Sequence, residues 1–431
     1  MHAAAVSYPE PDDRPLPTVL MVGAAVTPEV MDLLTRIDPA PQVQTYRLHW
    51  AFIRAIEAAG RTPIDVVSTV PTKDYPLCRK LFWGLHREQR QIAGKMGNLV
   101  MMPFVNCLGL KQITRFLSCL WCTLSWLWQR RGQDKVIILY GLIVSHLYVA
   151  LPLGKLFSAK VLAIVTDAPT PRQPEEGSIY ALARVLDRWL LLRSLRGLDG
   201  IVVLAAGAAK LLAPDVPALV IEGIISDEVA EYAQKPAPAP AGAPFAFMYA
   251  GQLEPPYGID LLLDAFTQLE GPQWALWVFG RGRLAPEVER AAAADPRITY
   301  FGFQPNDILF GRMRQASVLV NPRPLDQVLT PFMFPSKVLE YMAMGKIVVS
   351  SRLPGIPEEY YRYMIPVDEL SPATLAAVLR EVASWDPARR RRFEEEVRAF
   401  VWLTKTQLPQ GRRFCTFIKD LVAGDTGTYR Q

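Results

Sequence analysis

The sequence is poor in the residues that build disulfide frameworks and metal clusters. Cysteine occurs five times and histidine four times in 431 residues. An odd number of thiols scattered through a long chain does not make a disulfide framework. Cys119 and Cys122 stand at C-x-x-C spacing, but no second pair or histidine cluster accompanies them. The surroundings are apolar and helical, so they read as structural thiols rather than as a metal or redox pair. No D-x-D tripeptide occurs, so the paired carboxylates that hold a divalent ion on a diphosphate are missing. The opening MHAAAVSYPEPDDRPLP lacks a charged region followed by an apolar one. No secretory signal is expected, residues 1–17 read as a disordered tail, and the chain reads as cytoplasmic. The apolar run 136–154 approaches the ~18–20 residues of a membrane span. Gly141, Ser145, His146 and Pro152 break it into a strand, a turn and a buried helix. Nucleic-acid motifs are absent too, and nucleic acid is not expected as a partner.

What is present is hydrophobic patterning. Half of the residues are hydrophobic, and a chain of this length exceeds one ordinary core. Apolar β-branched runs at 17–26, 64–70, 134–141, 160–169, 199–206 and 217–224 alternate with helical stretches. That alternation predicts a parallel, doubly wound sheet. KPAPAPAGAP (235–244) has no apolar period and reads as an extended linker and domain boundary. The alternation then restarts at 245–253, 274–282, 298–303 and 317–324, with several strands ending in Gly- or Pro-rich loops. The predicted organisation is a Rossmann-like domain over 18–233, a Pro/Ala linker over 234–244 and a second domain over 245–405. A C-terminal helix within 406–431 is expected to pack back toward the first domain.

Charge is unevenly placed. Residues 79–135 hold ten Lys and Arg against Glu88 and Asp134, a surplus of eight where the whole chain has +5. Inside that region FLSCLWCTLSWLW (116–128) carries three tryptophans. This reads either as an interfacial membrane helix or as a core helix with basic flanks.

The densest local signal is FMFPSKVLEYMAMGKIVVS (332–350). Pro335 suits a helix start and Gly345 a left-handed end. Val338, Leu339, Met342 and Ala343 form an apolar stripe, while Lys337, Glu340 and Met344 share the other face. A cation and a carboxylate beside unpaired helix N–H groups can hold a phosphate and a diol. The same pair also fits a solvated i,i+3 salt bridge.

In order, AGQLEPPYGIDLLLDAF, FGRG, ITYFGFQPNDILFGRMRQASVLVNPRP and FPSKVLEYMAMGKIVVSS resemble the nucleotide-binding half of GT-B glycosyltransferases, in particular the retaining family 4. The resemblance covers roughly 245–360 and implies two doubly wound parallel-sheet domains facing across a cleft. It also implies transfer of a sugar from a nucleoside-diphosphate sugar, UDP ahead of GDP, with no cofactor or metal. IVTDAP, the VVL segment and IEGI resemble, with lower specificity, the acceptor half of bacterial polysaccharide glycosyltransferases. Glu340 matches the second Glu of the family's E-x7-E helix, which accepts from the donor's ribose hydroxyls. The first Glu, which contacts the donor sugar, is replaced by Phe332, leaving retention against inversion open. The family's basic pair for the diphosphate is replaced by Gln252 and Tyr257, with Lys337 and Arg281 as candidate substitutes.

Further donor contacts implied are Gly251, Gln252, Phe303, Gln304, Asn321, Pro335 and Ser336. Asp167, in IVTDAP, is the candidate base or acceptor-orienting carboxylate, with a turn or capping role as the other reading. His49 and His146 read as structural, and Glu222 either faces the cleft or bridges strand to loop. The expected partners are the donor, a lipid-linked saccharide of bacterial surface or exopolysaccharide synthesis, and the inner face of the cytoplasmic membrane through 79–135. The other readings are a catalytically silent GT-B partner subunit and a sugar-nucleotide epimerase.

Overall fold

A computed structural model describes residues 12–166, 178–235, 242–325 and 332–429. Asp167 and linker residues 236–241 lie outside the described residues. In chain order the elements are β1 (Thr18–Gly23), α1 (Pro28–Ile37), α2 (Val43–Gly60), β2 (Asp65–Ser68), β3 (Phe82–Trp83), β4 (His86–Ile92), β5 (Lys95–Met101), β6 (Phe104–Val105), α3 (Leu110–Gln129), β7 (Lys135–Tyr140), α4 (Val144–Leu156), β8 (Lys160–Val165), α5 (Ser178–Leu195), β9 (Gly200–Val203), α6 (Ala206–Leu212) and β10 (Ala218–Val220). They continue with α7 (Asp227–Gln234), β11 (Phe245–Gln252), α8 (Ile259–Thr267), β12 (Trp274–Arg281), α9 (Ala285–Ala294), β13 (Ile298–Gly302), α10 (Asn306–Gln315), β14 (Val318–Asn321), α11 (Ser336–Ala343), β15 (Ile347–Ser351), β16 (Ile365–Val367), α12 (Pro372–Ser384), α13 (Pro387–Thr404) and α14 (Gln407–Ala423).

Two compact units result, Ser7–Ile224 with Gln407–Gln431, and Ile225–Thr406. In the first, eight strands run in the order β10-β9-β8-β7-β1-β2-β5-β4. All are parallel except β4, which pairs antiparallel with β5. Strands β1 and β7 are buried on both faces, which is why they read as continuous apolar runs. One face is closed by α2 and α14, whose Phe52, Ile56, Phe414, Phe417 and Ile418 are fully buried. The expected tail is held from residue 12 onward: Arg14 reaches Asp420 at 2.6 Å, and the Lys419 ammonium donates to the Asp12 carbonyl at 2.6 Å.

The second unit has a six-stranded parallel sheet in the order β13-β12-β11-β14-β15-β16. Its start differs from the expected boundary. Helix α7, placed by sequence at the end of the first domain, belongs to the second unit. Asn306 bonds Glu228 at 3.1 Å, Tyr232 packs on Phe310, and Arg398 donates to the Ala233 carbonyl. The units therefore divide at Ile224/Ile225, before the Pro/Ala stretch.

In each sheet the chain winds outward from a central strand and then returns to that strand's other side. The reversals lie between β1 and β7 and between β11 and β14. Loops at the C-terminal ends of strands part at such points, which is where open α/β sheets bind ligands. Among the described residues no helix is long and apolar enough to cross a membrane.

Candidate functional site

At the β11–β14 reversal, the strand ends are built to let backbone approach closely. Gly251 and Gln252 pair with Gly280 and Arg281 across β11 and β12. A Cβ on Gly280, whose φ is +139°, would strike the Gly251 carbonyl. At Gly251 itself, the space of the missing side chain is taken by the Lys337 ammonium and the Tyr249 hydroxyl. No other residue type fits there without displacing them.

Helix α11 brings Lys337 to that point. Its first residue follows Pro335, and no side chain caps its N-terminus. Tyr341, fully buried, locks the helix onto β11: the Ala250 N–H donates to its hydroxyl at 2.9 Å, and the hydroxyl donates to the Ala250 carbonyl at 3.0 Å. Lys337 also donates to that carbonyl. Burial pushes the Lys337 ammonium down to about 8, against the opposing pull of the Glu340 carboxylate one turn along. Glu340 is half-buried and Ser336 exposed. Gly345 ends the helix with φ +68°, as expected, whereas Met344, expected on the polar face, is buried.

A second cation arrives from β14, and the sequence pattern does not single it out. Arg323, in the loop after Asn321, is 8% exposed. Its guanidinium lies over the Tyr257 ring at 5.0 Å, and its buried Nε has no partner among the described residues. Burial pushes the Tyr249 phenol up, and Arg323 partly offsets that. The approach depends on Gly258, at φ +73°, which packs directly on the Pro322 carbonyl. Tyr257, where the expected cation is missing from the sequence, thus carries one on its ring. A buried cation with an unpaired donor is costly unless something anionic completes it.

The other expected residues divide. Arg281 is exposed and stacks over Phe303, itself 67% exposed, at 4.9 Å. Gln304 donates to the Phe301 carbonyl at 2.6 Å. The Asn321 amide donates to Ser350 at 2.9 Å, tying β14 to β15. The structure therefore brings Gly251, Lys337 and Glu340 together at the β11 end, with Arg323 acting on the same Tyr249 that Lys337 overlies. Arg281 is the last residue of β12, and Phe303 and Gln304 lie on the loop after β13.

At the first unit's reversal, His49 and Tyr140 take the space beside Gly23. His49 is fully buried and stacks on Tyr140 with centroids 3.8 Å apart; its Nδ1 accepts from the Ala24 N–H at 3.3 Å. Burial pushes both His49 and His146 down to about 3, with Arg115 adding to the effect at His146. Both are neutral, buried imidazoles. Glu222 is also buried. The Cys119 thiol is pushed up by burial to about 12, as befits a core thiol. Among the described residues no group of three His, Cys, Asp or Glu side chains could hold a metal ion.

Residues 244–384 match the family model described as glycosyl transferases group 1. No curated protein matches the sequence. Among solved structures, a sucrose-phosphate synthase from Thermosynechococcus elongatus aligns with TM-score 0.57 and 15% identity, covering 94% of this chain and 100% of its own. Anabaena HepE in complex with UDP aligns at 0.53 with 12% identity over 94% and 100% of the two chains. The lipopolysaccharide outer core galactosyltransferase WaaB, in its apo form, aligns at 0.55 with 13% identity over 94% and 99%. At these identities the likeness carries the fold, which is GT-B. The chain thus has the GT-B fold, and residues 244–384 of its second unit are similar to group 1 glycosyl transferases.

Proposed function

We propose that the protein transfers a sugar from a nucleoside-diphosphate sugar, UDP first, to a lipid-linked saccharide in surface or exopolysaccharide synthesis. The observation that carries this reading is Lys337 beside the glycine-lined end of β11, with Arg323 close to the same Tyr249 at the second sheet's reversal. In the reaction, the bond between the anomeric carbon and the diphosphate oxygen breaks. The acceptor hydroxyl bonds that carbon and loses its proton. The departing diphosphate gains negative charge, and buried Arg323 and half-buried Lys337 with helix N–H groups are suited to stabilise it without a divalent ion. Glu340 grips the ribose diol through charge-assisted hydrogen bonds. Asp167 is the candidate for the acceptor's proton. The UDP held by HepE and the lipopolysaccharide named for WaaB favour these donor and acceptor classes. Peripheral contact with the inner face of the cytoplasmic membrane belongs to the same proposal.

Phe332, Gln252 and Tyr257, in place of three charged family residues, favour a second reading, a silent partner subunit. Calorimetric titration with UDP and GDP in EDTA separates the two. Micromolar binding of one nucleotide by wild type, lost in Glu340→Ala, is expected. A well-folded wild type that binds neither overturns the enzyme reading.

A further inference from the structure

Helix α3 presents two apolar faces, and only one is used by the core. Cys119, Thr123, Trp126 and Leu127 are buried. Leu110, Ile113, Leu117, Trp121 and Trp128 are exposed, Trp121 to 72%. At 3.6 residues per turn these five fall within an arc of roughly 80°. They form one ridge, where a solvated helix face would alternate with charge.

Beside this ridge, between α3 and strands β2 and β5, lies a cavity of about 500 Å³. Its position is fixed by polar clamps at both ends of the helix. At one end, Trp126 and Arg130 donate to the Asp65 carboxylate at 2.8 and 2.9 Å. At the other, Ser118 donates to the Pro103 carbonyl and Arg115 to the Val70 carbonyl, each at 2.6 Å. The helix is held at these points, with Cys119 and Thr123 buried between them and the cavity on its flank. Walls come from Val67, Val100, Leu117, Trp121 and Cys122, open at the mouth beside exposed Leu85. The size suits a single ligand. Arg87, which pairs across β4 and β5 with Val100, lines the same cavity and is exposed.

One wall of the slot is apolar and the other carries Asp65, Asn98, Ser125 and Gln129. With exposed Arg87 on its lining and an exposed Trp and Leu ridge beside it, the slot complements a hydrocarbon chain with an anionic head. We propose that this slot takes the hydrocarbon chain of a lipid phosphate, with the phosphate on Arg87, and thereby seats the acceptor's lipid end. The inference rests on the lipid-linked acceptor proposed above and adds the place where that lipid is recognised.

The test uses the full chain and farnesyl phosphate, with farnesol as the uncharged control and flotation on phosphatidylglycerol vesicles in parallel. Wild type is expected to bind farnesyl phosphate, and farnesol roughly tenfold more weakly, the scale of a lost charge-assisted hydrogen bond. Arg87→Gln, at an exposed site, is expected to bring farnesyl phosphate down to the farnesol level. Cys122→Phe, which fills the slot, is expected to abolish both, with unchanged melting of Arg87→Gln guarding against a folding artefact. Vesicle flotation without farnesyl phosphate binding would overturn the slot and leave the membrane reading standing. Binding unaltered in both variants would place the lipid elsewhere and overturn the slot. Neither flotation nor binding by wild type would overturn both.

Discussion

At the scale of single residues, the proposed donor site turns on two cations with different chemistry, buried Arg323 and half-buried Lys337. Arg323 offers a planar guanidinium fork with an Nε unpaired among the described residues. Replacing it by Gln removes charge-assisted bonds worth about 1.5–3 kcal/mol, so UDP should bind roughly 10- to 150-fold more weakly. Uridine, which has no phosphate, should be unaffected. Titration of the variant with both ligands checks this, and equal losses for the two would remove Arg323 from the phosphate. Lys337 differs because burial lowers it from 10.5 to about 8. Below pH 8 it is protonated in both folded and unfolded chains, and the full penalty of a buried charge is present. Between pH 8 and 10.5 the unfolded chain binds more protons, so this residue's contribution to stability rises with pH. Nucleotide binding moves the other way, since the diphosphate needs the ammonium. UDP affinity should fall above pH 8 by up to about tenfold per unit. Lys337→Met should bind weakly and without that slope, which calorimetry between pH 7 and 9.5 can read. These two residues also show what a sequence conceals. Lys337 and Glu340 share one short helix, so their proximity follows from its period. Arg323 meets Tyr257 only because β14 returns beside β11, a crossover that no local pattern encodes.

At the scale of elements, the buried parallel strands were legible because burial on both faces forces continuous apolar runs. The expected strands at 64–70, 134–141 and 160–169 appear as β2, β7 and β8. The β4–β5 hairpin was not legible. HREQRQI is largely exposed, so it has no alternation to read. Its turn is Ala93-Gly94, with both φ positive at 49° and 78°, lacking the Asn or Asp that usually marks such a turn. The register of α14 was equally hidden, since it depends on a glycine. Gly411 lies directly against the Ala55 carbonyl of α2, with no room for a Cβ. Gly411→Ala should push the two helices apart and destabilise the first unit by about 1–3 kcal/mol, the usual scale of overpacking. Thermal melting would show it as a lower Tm. A chain ending at Thr406 loses Phe414, Phe417 and Ile418, each worth about 1.5–3 kcal/mol of burial. That chain should be recovered as aggregate, and a soluble product with native melting would show that α14 is dispensable.

At the scale of the whole molecule, formal charge overstates what a membrane would feel. Of the ten basic residues between 79 and 135, five are committed inside the protein. Arg90 pairs with Glu57, Lys111 with Asp74 and Arg130 with Asp65, while Arg115 and Lys135 donate to carbonyls of Val70 and Gln133. Lys80 is half-buried over the Trp83 ring, and Arg79, Arg87, Lys95 and Arg131 remain exposed, the last donating to the Trp128 carbonyl with its guanidinium 3.4 Å from that ring's centroid. At about 1 kcal/mol for each basic residue near an anionic surface, four charges attract but do not anchor. The apolar ridge must supply the rest. Flotation on phosphatidylglycerol vesicles should therefore weaken in high salt without disappearing. Trp121→Ala with Trp128→Ala should abolish it even at low salt, although every exposed charge is kept. Flotation that vanishes in salt and survives the double variant would make the contact electrostatic. The ridge of α3 would then need a protein partner instead of a lipid.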